Sequence, residues 1–159
     1  AQIVLSNGNA SGVIIAQDGA FGGWSLYCKD GRLKYCYNLL GLQRFYTEAE
    51  APLSAGEHQV RMEFAYDGGG LAKGGGVVLF VDGEQVGAGR IPITVPMIFS
   101  ADETTDVGYD SASSVAEDYT IHTSAFNGRI EWIQLDVGLD DADHLITPEE
   151  RLRVAMARQ

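Results

Sequence analysis

Residues 23–38 read GWSLYCKDGRLKYCYN. Two runs rich in apolar and aromatic residues, 23–29 and 32–38, flank the dipeptide Asp30-Gly31. Asp-Gly tolerates the positive φ angles that a two-residue hairpin turn requires. Such a turn fixes the register: residue 29 faces 32, 28 faces 33, and 25 faces 36. Side chains alternate between the faces of a strand, so Cys28 shares a face with Trp24, Leu26, Leu33 and Tyr35. Cys36 falls on the other face with Ser25, Tyr27 and Lys34. Opposite faces preclude a disulfide between them. The expectation is two free thiols, with Cys28 a small core residue, which fits a reducing compartment.

The same alternation recurs outward from this hairpin. In 58–66, HQVRMEFAY, the side chains of Val60, Met62, Phe64 and Tyr66 point one way, and Gln59, Arg61 and Glu63 the other. Shorter runs stand at 12–17, 77–82 and 128–137, and a second Asp-Gly pair occupies 82–83. Twenty glycines and only four prolines are spread along the chain. Many short strands with turn signals between them predict an all-β fold, a two-sheet antiparallel sandwich over residues 1–146. Helical signals are confined to the end. In ITPEERLRVAMARQ, Thr147 is an N-cap, Pro148 takes the first helical position and Glu150 completes a capping box. Leu152, Ala155 and Met156 then share a face. A short α-helix over 147–159 is marginal alone in water, and is expected to dock on the sandwich or on a neighbour.

Eleven basic residues stand against 22 acidic ones, a net charge of −11. Such a surface disfavours nucleic acid and anionic lipid as partners, since both bind through lysine and arginine. No apolar run approaches the roughly 20 residues of a membrane-spanning helix. The chain starts at Ala1 without a leader pattern, which reads as a processed form or an excised piece; no localisation signal is legible.

None of the familiar catalytic motifs matches the sequence. Lys73, in FAYDGGGLAKGGGVVLFVDG (64–83), is followed by Gly74 and Gly75 rather than by Ser or Thr, and a β-run follows instead of a helix. These glycines read as a connection between strands, not as a phosphate loop. Ser25 in GWSLY lacks the second glycine of a nucleophile elbow. His58, His122 and His144 are scattered, without zinc-ligand spacing. Glu131 and Asp136, the only alternating acids in a candidate strand environment, have opposite parity. The expectation is a chain without catalytic residues; the alternative is a small hydrolase.

Two binding readings remain open. In 100–119, SADETTDVGYDSASSVAEDY, six carboxylates lie among Ser, Thr and Gly. An irregular loop of this kind can supply the six to eight oxygens that Ca²⁺ takes, from Asp102, Asp106, Asp110, Glu117 or Asp118; the alternative is a solvated acidic loop. Separately, Tyr27, Lys34 and Asn38 would line the second face of the 23–38 hairpin, with Arg44 and Tyr46 on a neighbouring strand. A flat aromatic beside hydrogen-bonding side chains suits a glycan, whose C–H faces stack while its hydroxyls need directional partners. The alternative is that Tyr27 packs against another sheet, another domain or the terminal helix.

Several long phrases also carry a family resemblance. FGGWSLYCKDGRLKYCYNLLGLQRFY, GEHQVRMEFAYDGGGLAKGGGVVLFVDGEQVGAGRI, VPMIFSADETTDVGYD, VAEDY, FNGRIEWIQLDVG and the ending DHLITPEERLRVAMARQ resemble, in order, the C-terminal region of bacterial arylsulfatases. The resemblance runs from about residue 12 to residue 159. It implies an accessory domain that follows an alkaline-phosphatase-like catalytic domain, and a sandwich like those of the concanavalin A-like or jelly-roll lectins and glucanases. The family's formylglycine signature is Cys/Ser-x-Pro/Ala-x-Arg. The nearest phrase here, Cys28-Lys29-Asp30-Gly31-Arg32, has Asp at the third position and lies across a hairpin turn, so no catalytic residue carries over. The implied partners are a sulfatase catalytic domain in cis, or a second copy of the chain.

Overall fold

Asp30 and Gly31 have φ of 51° and 81°, and Asp82 and Gly83 have 52° and 85°. Paired left-handed residues of this kind make the turn whose twist matches the strands it joins. In the computed structural model, which describes residues 1–96 and 104–137, the strands among these residues are β1 (Gln2–Leu5), β2 (Gly12–Gly19), β3 (Gly22–Lys29), β4 (Arg32–Leu39), β5 (Gln43–Glu48), β6 (Gly56–Tyr66), β7 (Gly75–Val81), β8 (Glu84–Ile91), β9 (Thr105–Val107) and β10 (Arg129–Trp132). They form two five-stranded sheets, ordered β10-β1-β6-β7-β8 and β5-β4-β3-β2-β9. Every pairing is antiparallel. The all-β, two-sheet sandwich expected from the alternation is therefore present. The expected helix over 147–159 lies outside the described residues.

The register of the decisive hairpin is the one the Asp-Gly turn dictates: Lys29 opposite Arg32, Cys28 opposite Leu33, Ser25 opposite Cys36. Its inner face joins the main core. Leu26, Cys28, Leu33 and Tyr35 pack there with Ile3, Ile14, Val60, Val77, Leu79 and Ile91, all buried. Trp24 is partly buried against this core; it stacks on Tyr35 with ring centres 6.4 Å apart and donates its indole N–H to Gln17.

The sheets meet along β5 and β8. The Glu50 amide, just past β5, donates to the Val86 carbonyl at 2.9 Å. Gly87 is needed for this approach: a Cβ there would lie 2.5 Å from the Glu48 carbonyl oxygen.

The outer face of the β5-β4-β3-β2-β9 sheet is not left to solvent. Residues 110–125, without regular structure, lie across it and create a second buried cluster of Val13, Ala16, Tyr27, Cys36, Val115, Ala116 and Tyr119. The molecule thus has three layers over this half: sheet, sheet and an irregular cover.

Candidate functional site

The cross-strand register brings all five glycan candidates onto one face, because directly opposite residues share a side of the sheet. Tyr27 pairs with Lys34, Asn38 with Arg44, and Cys36 with Tyr46. That face is the one beneath the cover. Tyr27 is 0% exposed; its hydroxyl donates to Asp118 at 2.5 Å, and its ring meets Tyr119 edge-on at 5.2 Å. Asn38 is also 0% exposed. Its amide nitrogen donates to the carbonyls of Gly19 and Ala20, and its amide oxygen accepts from the Gly41 N–H, so it ties the end of one hairpin to the next. Lys34 lies 2.6 Å from Asp118 and 3.5 Å from Glu48, with its ammonium 5.6 Å from the centre of the Tyr46 ring. Arg44 donates to the Val115 carbonyl at 2.8 Å and to Glu117 at 3.1 Å. Tyr46 is half-exposed and its hydroxyl accepts the Glu117 amide. Tyr27 and Asn38 consequently present no surface on which a sugar could stack or bond.

The calcium candidates occupy the other side of the same contact. Asp106 accepts the Ser111 amide at 2.7 Å. Asp110 is buried, and one of its oxygens accepts from the Val115 amide and from the Tyr119 hydroxyl, which also reaches Ser25. Glu117 pairs with Arg44, and Asp118 with Lys34 and Tyr27. Asp102 lies outside the described residues. Among the described residues no three His, Cys, Asp or Glu side chains converge where an ion could sit. The two sets of candidates are largely partners of each other.

The electrostatics follow from this pairing. Burial acts to raise the Asp118 carboxyl pKa, but the bonds from Lys34 and Tyr27 prevail and hold it below the ordinary range. Burial likewise acts to lower the Lys34 pKa, and the bond to Asp118 with the field of Glu48 overrides it, leaving the ammonium favoured. Charged and hydrogen-bonded to each other, these groups fasten the cover to the sheet. The two cysteines are free and buried, and burial pushes each thiol up to about 12, far from a reactive thiolate at neutral pH. Lys73 stands on an exposed loop; its backbone amide donates to the Tyr66 hydroxyl and its carbonyl accepts from Thr94. Strand β7, not a helix, follows it.

Two features had no counterpart in the sequence motifs. The first is a row of side chains where β6 begins. The Ser54 hydroxyl lies 3.2 Å from His58 Nε2, and His58 Nδ1 lies 2.7 Å from Asp82 Oδ2. The other Asp82 oxygen accepts the Gln59 amide at 2.7 Å. Ser54 and His58 are four residues apart, but Asp82 reaches them only because β6 and β7 pair with Val60 opposite Val81; no spacing in the sequence announces it. The second is apolar. The turns that follow β2 and β4 sit side by side, tied by Asn38, and they display Phe21 (76% exposed), Leu40 (45%) and Leu42 (84%).

No protein-family model matches the chain, and a search of curated proteins finds no match.

Proposed function

We propose that this chain is an accessory domain of the arylsulfatase C-terminal kind, non-catalytic towards sulfate esters and of concanavalin A-like or jelly-roll form, that works by contact: with a sulfatase catalytic domain in cis, or with another copy of itself when alone. The observation that carries this reading is the apolar end of the sandwich. Phe21, Leu40 and Leu42 lie on neighbouring turns and leave much of their apolar area exposed in the described fold. Scattered exposed apolar residues are ordinary, but neighbouring ones on adjoining loops favour an interaction site. The glycan candidates support it too, since Tyr27 and Arg44 bond to the protein's own cover and Asn38 to the neighbouring turns.

The test is a double substitution, Phe21→Ser with Leu42→Ser. Both side chains are mostly solvent-exposed, so the fold should survive with its melting temperature within a few degrees. Sedimentation of the chain alone, and of the chain mixed with a sulfatase catalytic domain, should show association in the wild type and at least tenfold weaker association in the variant. A wild type that stays monomeric at high concentration and ignores the catalytic domain overturns the reading.

A further inference from the structure

We propose that Ser54, His58 and Asp82 form a nucleophilic serine site that hydrolyses small uncharged carboxylic esters. It goes beyond the contact role and does not depend on it. The three side chains have the mutual geometry that defines such a site: a nucleophile within hydrogen-bond reach of a base, and the base oriented by a third group. The serine–histidine distance is 3.2 Å and the histidine–aspartate distance 2.7 Å. Asp82 is itself fixed, since its second oxygen holds the Gln59 amide.

Tautomer logic supports the assignment. The Asp82 carboxylate only accepts hydrogen bonds, so Nδ1 carries the ring proton. In the neutral ring Nε2 is then a lone pair, aimed at the Ser54 hydroxyl, which is the arrangement a general base needs. Nε2 also lies 3.1 Å from the Ser54 carbonyl oxygen. That oxygen can bond to the ring only after Nε2 has taken a proton, so the carbonyl stabilises the imidazolium that forms during attack. His58 stands opposite Ile3 in the β1–β6 register and its side chain is only 12% exposed, which holds the ring in place, whereas Ser54 is exposed and open to substrate.

The chemistry balances without an added reagent. Ser54 Oγ attacks the ester carbonyl carbon as its proton passes to His58 Nε2. The bond to the alcohol oxygen breaks and that oxygen takes the proton from Nε2, leaving an acyl-serine. Water, deprotonated by the same nitrogen, attacks the acyl carbon; a carboxylic acid leaves and the serine proton returns. The site is an open surface rather than an enclosed cleft, because Asp82 is 52% exposed at its side chain, and this favours short acyl chains. The net charge of −11 disfavours anionic esters.

The experiment uses the intact chain with para-nitrophenyl acetate as substrate and diisopropyl fluorophosphate as covalent probe. Expected are turnover above the buffer rate and a phosphoryl adduct located by peptide mass on Ser54. Ser54→Ala removes both. His58→Gln slows labelling by about a hundredfold or more. Asp82 is a positioning residue, and Asn at this site keeps an oxygen for the Gln59 amide. Asp82→Asn should therefore fold normally, label slowly, and lower kcat for para-nitrophenyl acetate with KM unchanged, since its amide N–H2 faces Nδ1 and moves the ring proton to Nε2. An adduct on any other residue, turnover unchanged in Ser54→Ala, or no labelling of a folded wild type each overturns the proposal; these results leave the association measurements on Phe21 and Leu42 unaffected.

Discussion

Tyr27 shows how far one side chain's role depends on what lies over it. Its ring is part of a buried cluster and its hydroxyl is bonded to Asp118. Tyr27→Phe keeps the ring and removes one bond to a charged group, an expected loss of about 1–3 kcal/mol in urea unfolding. Tyr27→Ala leaves a cavity as well and should cost about 3–5 kcal/mol, so glycan binding lost in that variant would report damage to the fold. Asn38→Ala frees the Gly41 amide and the Gly19 and Ala20 carbonyls; only the bond to Gly19 is fully buried, so a loss of about 1–3 kcal/mol is expected, the cost of one buried unpaired group. Arg44 and Glu117 separate two effects. Glu117 is 75% exposed at its side chain, so Glu117→Gln should change stability by less than about 1 kcal/mol. Arg44→Ala, which also frees the Val115 carbonyl, should cost measurably more in the same assay.

The irregular segment over the outer sheet face is the element whose stability should depend most on pH. Asp118 has a lowered folded pKa, so its contribution is complete above the ordinary carboxylate range, about 3.9, and is lost as pH falls through the folded value. Lys34 has a raised one, so its contribution is complete below the ordinary lysine range, about 10.4, and is lost as pH rises through the folded value. Between those limits the clamp is intact. Asp118→Asn should be less stable than wild type at pH 7, and the difference should close as both are titrated towards pH 2; urea midpoints across the pH range measure it. This element is also where sequence reading ends. The hairpin 23–38 was legible to the single residue, because alternation and an Asp-Gly turn leave one register. The stretch 100–119 has no alternation, and carboxylates that will pair with Lys34 and Arg44 look the same in sequence as carboxylates awaiting calcium. The strand register gathers Tyr27, Lys34 and Arg44 on one face, and only the path of the irregular cover brings the carboxylates to it. Ser54, His58 and Asp82 were illegible for a related reason: their proximity is a property of the β6–β7 pairing, not of any motif.

At the scale of the whole molecule, the two sheets are held in contact by a seam as well as by a core. Gly87→Ala would push a methyl group against the Glu48 backbone, which cannot swing aside as a flexible side chain could. A loss of about 1–3 kcal/mol is expected, with the urea midpoint as readout. The run 128–137 illustrates how the global arrangement trims local preference. Its apolar residues continue past Trp132, with a change of phase at Ile133, yet only Arg129–Trp132 is strand, where β1 offers a partner. β8 is illegible in the sequence for the opposite reason: in EQVGAGRI its two glycines, required by the seam, erase the side-chain alternation.

Cys28 and Cys36 lie on opposite sides of one sheet, the first in the main core and the second beneath the cover. Each thiol is therefore a timer for a different opening event. If the cover lifts before the sheets part, iodoacetamide in mild denaturant will alkylate Cys36 in a fast phase while Cys28 waits for global unfolding. Equal rates at the two positions would mean that roof and core come apart in a single cooperative step.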